Sequence, residues 1–249
     1  MFTLHTLKLK AVMPLAGALL MAASVISCRD DDNTDLETVT EAEAADAIEA
    51  AVTTDSNGVA QMAAGATAVA EDEAVYTNSP LINCGQLYTE NHNATGAGVT
   101  YSYDYSGTHT YQLTCSAQGF AESFAYTYDM DGTYETARMY SDDNATANVA
   151  ITGLAAGIPD ALINGSYVRN GYQESKVRQM RHFNSLITIN LDDVVVNKTS
   201  RQITGGTASV SMTGTGSAGN TFSYNGTITF NGNQSATLVI NGTTYNINL

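Results

Sequence analysis

The chain has 249 residues, 10 Lys+Arg against 25 Asp+Glu, a formal net charge of −15 and a mean hydropathy of −0.11. So acidic a protein lacks the basic footprint that nucleic-acid binding requires, and it is repelled by an anionic membrane surface. The charge is uneven: residues 29–73 hold 13 acids and one base, whereas residues 74–249 hold 12 acids and seven bases.

The first element is an export signal. Lys8 and Lys10 precede an apolar stretch from Ala11 to Ile26 that is interrupted by Pro14 and Gly17. It is too short to span a bilayer comfortably and carries no positive stop-transfer flank. It closes on Val25-Ile26-Ser27-Cys28, and Arg29-Asp30-Asp31-Asp32 follows. This stretch resembles the lipobox of bacterial lipoproteins. The resemblance implies diacylation of the Cys28 sulfur, cleavage after Ser27 and acylation of the new amine. Each buried methylene contributes about 0.8 kcal/mol, so two or three acyl chains hold a domain on a bilayer durably. The acidic tract directly after Cys28 looks like the surface-export signal of Bacteroidota-type lipoproteins, which implies an outer-membrane, cell-surface location. A periplasm-facing anchor is the alternative. The covalent lipid on Cys28 is the only prosthetic group expected, with no other cofactor.

Residues 28–73 read as a lipidated acidic tether ahead of a domain at 74–249. Thr40-Glu41-Ala42-Glu43 has the Thr-x-x-Glu form of a capping box. Ala44, Ala45, Ile48 and Ala51 or Val52 follow near helical spacing, Ser56-Asn57-Gly58 interrupts, and Val59 to Ala70 suits a second Ala-rich helix, so the segment reads as two short helices or a partly disordered stalk with helical tendency. With such small apolar residues, weak packing is expected.

From about Ala74 the apolar period becomes two. Val99, Tyr101, Tyr103 and Tyr105 share one face, then His109, Tyr111, Leu113 and Cys115, then Phe120, Phe124, Tyr126 and Tyr128. These are strands with one face toward a core. Cys84 and Cys115 are the pair left once Cys28 is lipidated, and an oxidising compartment makes a disulfide between them the expectation. Tyr134 to Gln179 is less periodic: Asn164-Gly165 and Asn170-Gly171 suggest turns around a short strand through Tyr167, and Pro159 ends a loop. Beyond it, strands are expected through Leu186 to Val196 and Thr207 to Thr213, with a bulge or bend at Gly205-Gly206. Phe222, Tyr224, Ile228 and Phe230 share a face, so Asn225-Gly226 lies inside a strand. Asn231-Gly232-Asn233 suits a three-residue loop setting Ile228 opposite Ala236. Asn241-Gly242 suits a two-residue hairpin turn, with Leu238 opposite Tyr245 and Ala236 opposite Ile247. The expected fold is all-β, an antiparallel meander forming a sandwich or barrel.

Motifs for chemistry are sparse: there is no His-Glu-x-x-His, Gly-x-Ser-x-Gly, phosphate-cradling glycine loop or Cys-x-x-Cys. No catalytic residues are assigned, and His109 reads as a hydrogen-bonded core histidine. Asp129, Asp131 and Glu135 are weak candidates for a calcium-type site, against a plain Asp-Gly turn. Asp142-Asp143-Asn144 reads as a solvated loop, with completion of such a calcium-type site in space as the alternative. Arg169, Lys176, Arg178 and Arg181 form the main basic cluster, suited to an acidic glycan, a phosphate or an acidic partner. Tyr101, Tyr103 and Tyr105 are candidates for a sugar-stacking platform, unless Thr100, Ser102 and Asp104 take the solvent side and leave the tyrosines to the core.

Ile163 to Gly171, Ser175 to Arg178 and Val195 to Thr199 resemble a group of uncharacterised β-rich lipoproteins of the same bacterial phylum, a likeness that implies fold and address and no activity. The expected function is a non-catalytic binding or envelope-interaction module, with the membrane as partner through the lipid and a glycan or envelope protein as ligand. The alternatives are a glycan-binding accessory protein of a nutrient-uptake system, an adhesive pilus-type subunit, and a hydrolase whose site is assembled from distant strands.

Overall fold

The computed structural model describes residues 38–76, 84–178 and 180–249. Two helices come first, α1 (Glu41–Val52) and α2 (Val59–Tyr76), joined by a 3-10 turn at Thr54–Ser56. Ten strands follow: β1 (Leu87–Ala97), β2 (Tyr101–Cys115), β3 (Ala121–Thr136), β4 (Met139–Thr152), β5 (Asp160–Ser175), β6 (His182–Asn197), β7 (Ile203–Gly216), β8 (Thr221–Gly232), β9 (Ser235–Ile240) and β10 (Thr243–Asn248). They form one antiparallel sheet in sequential order, with β1 and β10 as its edges. The expected all-β meander is therefore present, as a single unclosed sheet.

Period-two alternation puts apolar side chains on one face of every strand, and that face curls around the helices. Glycines on the inner face permit the curl. A Cβ on Gly107 would collide with the Asp129 carbonyl, and one on Gly132 with that of Asp104. Neighbouring backbones approach at these points more closely than any side chain allows.

The helical segment is not a tether. The capping box forms as the sequence implies: the Thr40 hydroxyl accepts from the Glu43 amide at 3.3 Å and the Glu43 carboxylate accepts from the Thr40 amide at 2.9 Å. Ala44, Ala47, Ile48, Ala51, Val52, Val59, Ala63 and Ala66 are all sealed inside the sheet. Small side chains are what let a helix fit so narrow a channel, and Ile48, Val52 and Val59 each contribute about 1.5–3 kcal/mol by burial. The boundary placed at residue 74 thus divides a single core.

Three further expectations are corrected. Asn164-Gly165 and Asn170-Gly171 lie within the continuous β5, where Gly165 marks a register shift and Gly171 packs against the β4 backbone. Asp129 to Gly132 lies inside β3, and Asp142 to Asn144 inside β4, so neither is a turn or loop. The β8–β9 turn is Asn233-Gln234, both at positive φ, and Ile228 faces Leu238, with Phe230 facing Ala236. The Asn241-Gly242 turn and its register are as expected. Val99 and Phe120, placed in the inward rows by alternation, sit in turns and are exposed.

The meander puts its turns at two ends. Residues 98–100, 137–138, 176–181 and 217–220 form one end, and 116–120, 153–159, 198–202 and 233–234 the other, while the short β9–β10 hairpin turns at 241–242, opposite the middle of β8. The chain enters at the first end, where the Tyr224 hydroxyl donates to the Val39 carbonyl at 2.6 Å. Glu41 accepts there from Tyr245 at 2.9 Å and Asn241 at 3.1 Å. The Cys84–Cys115 disulfide joins the start of the sheet to the end of β2.

Candidate functional site

The densest polar constellation lies at the centre, where β5 presents Arg169 inward against the turn between the helices. Arg169 is fully buried. Its Nε lies 3.4 Å from Asp143 Oδ1 on β4. Its terminal nitrogens donate to the carbonyls of Ala50 at 3.2 Å, Ser56 at 2.8 Å and Asn57 at 3.3 Å. The rings of Tyr134, Tyr105 and Tyr167 surround the guanidinium at 4.8, 5.8 and 5.8 Å. Burial opposes its charge, but Asp143 and the tyrosines outweigh that and hold its pKa well above the ordinary value. The three carbonyls are orphan acceptors at a helix end and its turn, so Arg169 caps the hairpin from the sheet side.

Asp143 is gripped in turn. Tyr105 donates to its Oδ1 at 2.8 Å, and Ser141 Oγ lies 2.5 Å from its Oδ2. Burial raises the Tyr105 and Tyr134 phenols far out of the physiological range and pushes Tyr167 up to about 12. Tyr167 donates to the Asn57 carbonyl at 3.2 Å, and Asn57 donates to the Tyr128 hydroxyl at 2.5 Å. Asn57 adopts the left-handed conformation (φ 55°) that reverses the chain between the helices.

An acid–base clamp holds the other end of α1. Asp46 Oδ1 accepts from Arg138 at 2.6 Å and Asp46 Oδ2 from Arg178 at 2.9 Å. Arg181 donates to the buried Glu43 at 2.7 Å, and Lys176 pairs with Glu135 at 2.6 Å. Beside the clamp, between α1 and β10, lies an open hollow of about 450 Å³ lined by Asp46, Glu49, Arg138, Arg178 and Tyr245. Burial raises the Glu49 pKa, with nearby Arg138 opposing the shift.

A third cluster joins β1 to β2. His109 lies 3.2 Å from Glu90 and 3.3 Å from the Tyr126 hydroxyl, and its ring stacks on His92 at 5.0 Å. His109 is thus a hydrogen-bonded core residue. Burial and the neighbouring His109 lower the His92 pKa.

These contacts redistribute the residues singled out by sequence. The basic cluster is split: Arg169 faces the core, whereas Lys176, Arg178 and Arg181 are engaged by acids at the rim. Tyr105 is fully buried, and Tyr101 and Tyr103 lie half-buried with their rings against Gly98 and Gly96. Thr100, Ser102 and Asp104 take the solvent side, so the tyrosine row faces inward and offers no coplanar outer platform. Asp129 and Asp131 share the Asn144 amide at 2.9 and 3.2 Å, while Glu135 is turned to Lys176. Among the described residues no three His, Cys, Asp or Glu side chains converge as metal ligands.

Sequence reasoning missed Asp143 and Asn57. The signal for Asp143 was its place: Ser141, Asp143, Ala145 and Ala147 alternate with outward residues, so Asp143 falls on the core face and demands an inward cation. Comparison with family models, curated proteins and solved structures finds no match to this chain.

Proposed function

We propose that this protein is an exported lipoprotein, anchored through lipid on Cys28 and exposed at the cell surface, whose β domain is a non-catalytic binding or envelope-interaction module. The observation that carries this reading is the Val25-Ile26-Ser27-Cys28 sequence with its acidic sequel. These residues lie outside the described part of the structure. Support comes from the Cys84–Cys115 disulfide, the chemistry of an oxidising compartment, which leaves Cys28 as the odd cysteine. Among the described residues no helix is long and apolar enough to cross a membrane, a statement that concerns helices alone. Further support for a binding role is that the inward ionic and aromatic groups hold the helices in place. What faces outward is a long surface of Thr, Ser, Asn and Asp on strand after strand, with the turns at either end.

The test is the Cys28→Ala variant expressed in a bacterium that processes lipoproteins. It is expected to lose incorporation of labelled fatty acid and to leave the membrane pellet after a carbonate wash. A variant that still pellets and still carries label refutes the anchor. Intact cells treated with protease report the leaflet: rapid loss of the wild-type chain is expected for surface exposure, and protection for a periplasm-facing anchor.

A further inference from the structure

We infer that β1 is a self-pairing strand: two copies of this protein join through their β1 edges, antiparallel about a two-fold axis at His92, into one continuous sheet. The partner is a second copy of the chain, and the pairing does not depend on the lipid anchor.

Backbone geometry identifies the free groups. β1 is an edge of the sheet and pairs with β2 alone among the described residues. The Gly98 amide donates to the Tyr101 carbonyl at 2.8 Å, which makes that pair a hydrogen-bonded one. In an antiparallel ladder such pairs recur at every second residue, so Gly96, Ala94, His92, Glu90 and Tyr88 direct their backbone groups to β2. The intervening Leu87, Thr89, Asn91, Asn93, Thr95 and Ala97 turn theirs to the open edge.

This edge is unguarded. It runs 11 residues with no Pro, Lys or Arg, and its register with β2 is unbroken by any bulge. Charged side chains, bulges and shortness are the usual protections of an exposed edge. The opposite edge has the last of these, since β10 is six residues long. β1 is also open on both faces. Thr89, Asn91, Asn93 and Thr95 are exposed outside, and on the inner face the Glu90 side chain is 56% exposed. A long, flat edge of this kind is a template for a further strand.

The sequence of the strand selects its occupant. Residues 89–95 read Thr-Glu-Asn-His-Asn-Ala-Thr, and the outward residues are a palindrome about His92. A two-fold axis there sets Thr89 opposite Thr95 of the second copy and Asn91 opposite Asn93, like-with-like polar pairs that hydrogen-bond across strands. These are the same residues whose backbone groups face the edge, so the free N–H and C=O groups of each copy meet those of the other. The two His92 residues then form the central, non-hydrogen-bonded pair, with Cα atoms about 4.5 Å apart. On the inner face Tyr88 meets Gly96, large against small, and Glu90, the only acid of the strand, meets Ala94 rather than its own copy. Pairing of β1 with the β10 edge of another copy would use little more than half the length and would have no such symmetry.

One strand per copy makes a small interface, under about 1,200 Å² and so of the weak class, and crosslinking suits it better than sedimentation. Two Cα atoms about 4.5 Å apart lie within the span of a disulfide. The full chain carrying His92→Cys is expressed, whole cultures are oxidised with copper phenanthroline, and dimers are read on non-reducing gels. His92→Cys is expected to give several-fold more dimer than Thr95→Cys, whose two thiols lie six residues out of register. The unsubstituted chain is the control: a dimer formed through an unlipidated Cys28 appears there too, which reports on the anchor without bearing on the edge. Asn93→Pro removes an edge-facing N–H that β2 does not use, and Asn91→Lys puts charge on the outer face beside the axis. Each enters the pair twice, and each is expected to cut the His92→Cys dimer several-fold while the chain keeps its resistance to protease. No dimer from His92→Cys, equal dimer from Thr95→Cys, or a dimer indifferent to Asn91→Lys overturns the proposal.

Discussion

Arg169 illustrates what a buried charge does in this protein. It donates to three carbonyls and pairs in charge with one carboxylate at 3.4 Å, so the cost of desolvation is spread over the whole constellation. Arg169→Met leaves Asp143 charged and unpaired in the core and is expected to cost about 3–5 kcal/mol. Arg169→Met with Asp143→Leu is expected to recover part of that loss, because the orphan charge is gone while the Ser56 carbonyl loses its guanidinium donor and those of Ala50 and Asn57 keep only Ser56 Oγ and Tyr167. Denaturant titration of the two singles and the double gives the coupling, and additive losses would show that the two side chains do not act as a pair. Glu49 gives a pH-dependent contrast. Its folded pKa is raised by burial, so the ionised form weakens the fold at neutral pH and stability is regained as pH falls through that raised value. Glu49→Gln is therefore expected to raise Tm by roughly 1–3 °C at pH 7, a modest shift because the group is part-exposed. The gain should vanish near pH 4; a gain that persists there contradicts the sign. Neither residue's role was apparent from its neighbours in sequence. Asp143 and Arg169 occupy inward positions where alternation calls for apolar side chains, and a polar residue in an Asp- or Asn-rich stretch reads first as a turn.

At the scale of elements, local signals that carry their own geometry were legible and signals shared by two geometries were not. The Thr40–Glu43 capping box and the alternation of β8 each specify one local structure, and each formed. Glycine after asparagine is ambiguous. At 241–242 it makes a hairpin, while at 164–165 and 170–171 it lets a long strand bend over its neighbour. Two glycines separate these uses experimentally. Gly132→Ala puts a methyl group into the Asp104 carbonyl and is expected to destabilise by at least about 1–3 kcal/mol, as overpacking does. Gly65→Ala sits on an exposed turn of α2 with open space around it and is expected to stabilise by about 0.5–1 kcal/mol. Thermal melts of both variants check the pair, and a neutral Gly132→Ala would argue that the sheet relaxes at the bend.

For the whole molecule, the acidic composition of residues 29–73 reads as a solvated tether, yet among the described residues Glu43 and Asp46 are buried against arginines and the alanines between the acids fill the core. Composition averages over the two faces of a helix, so a segment with charges on one side and methyl groups on the other looks like a linker. The consequence is that residues 74–249 alone lack their core filler. A chain beginning at Ala74 is expected to be aggregated or molten by near-ultraviolet circular dichroism and amide NMR dispersion, whereas one beginning at Arg29 folds. A well-dispersed spectrum from the shorter chain would show the sheet to be self-sufficient. Any ligand screen accordingly needs the longer form.

The seating of α1 also bears on how the protein acquires its shape. Each strand pairs with its immediate successor, so the sheet is assembled from contacts that are short-range along the chain. Glu41, by contrast, bonds to Asn241 and Tyr245, some 200 positions later. In N-to-C synthesis the helices emerge first and must wait for the last hairpin before their burial is complete. Completing the fold thus requires the start of α1 and the last hairpin to meet, and a polypeptide cut short before β9 is expected to leave this end of the helix uncovered, a ready mark for quality-control proteases.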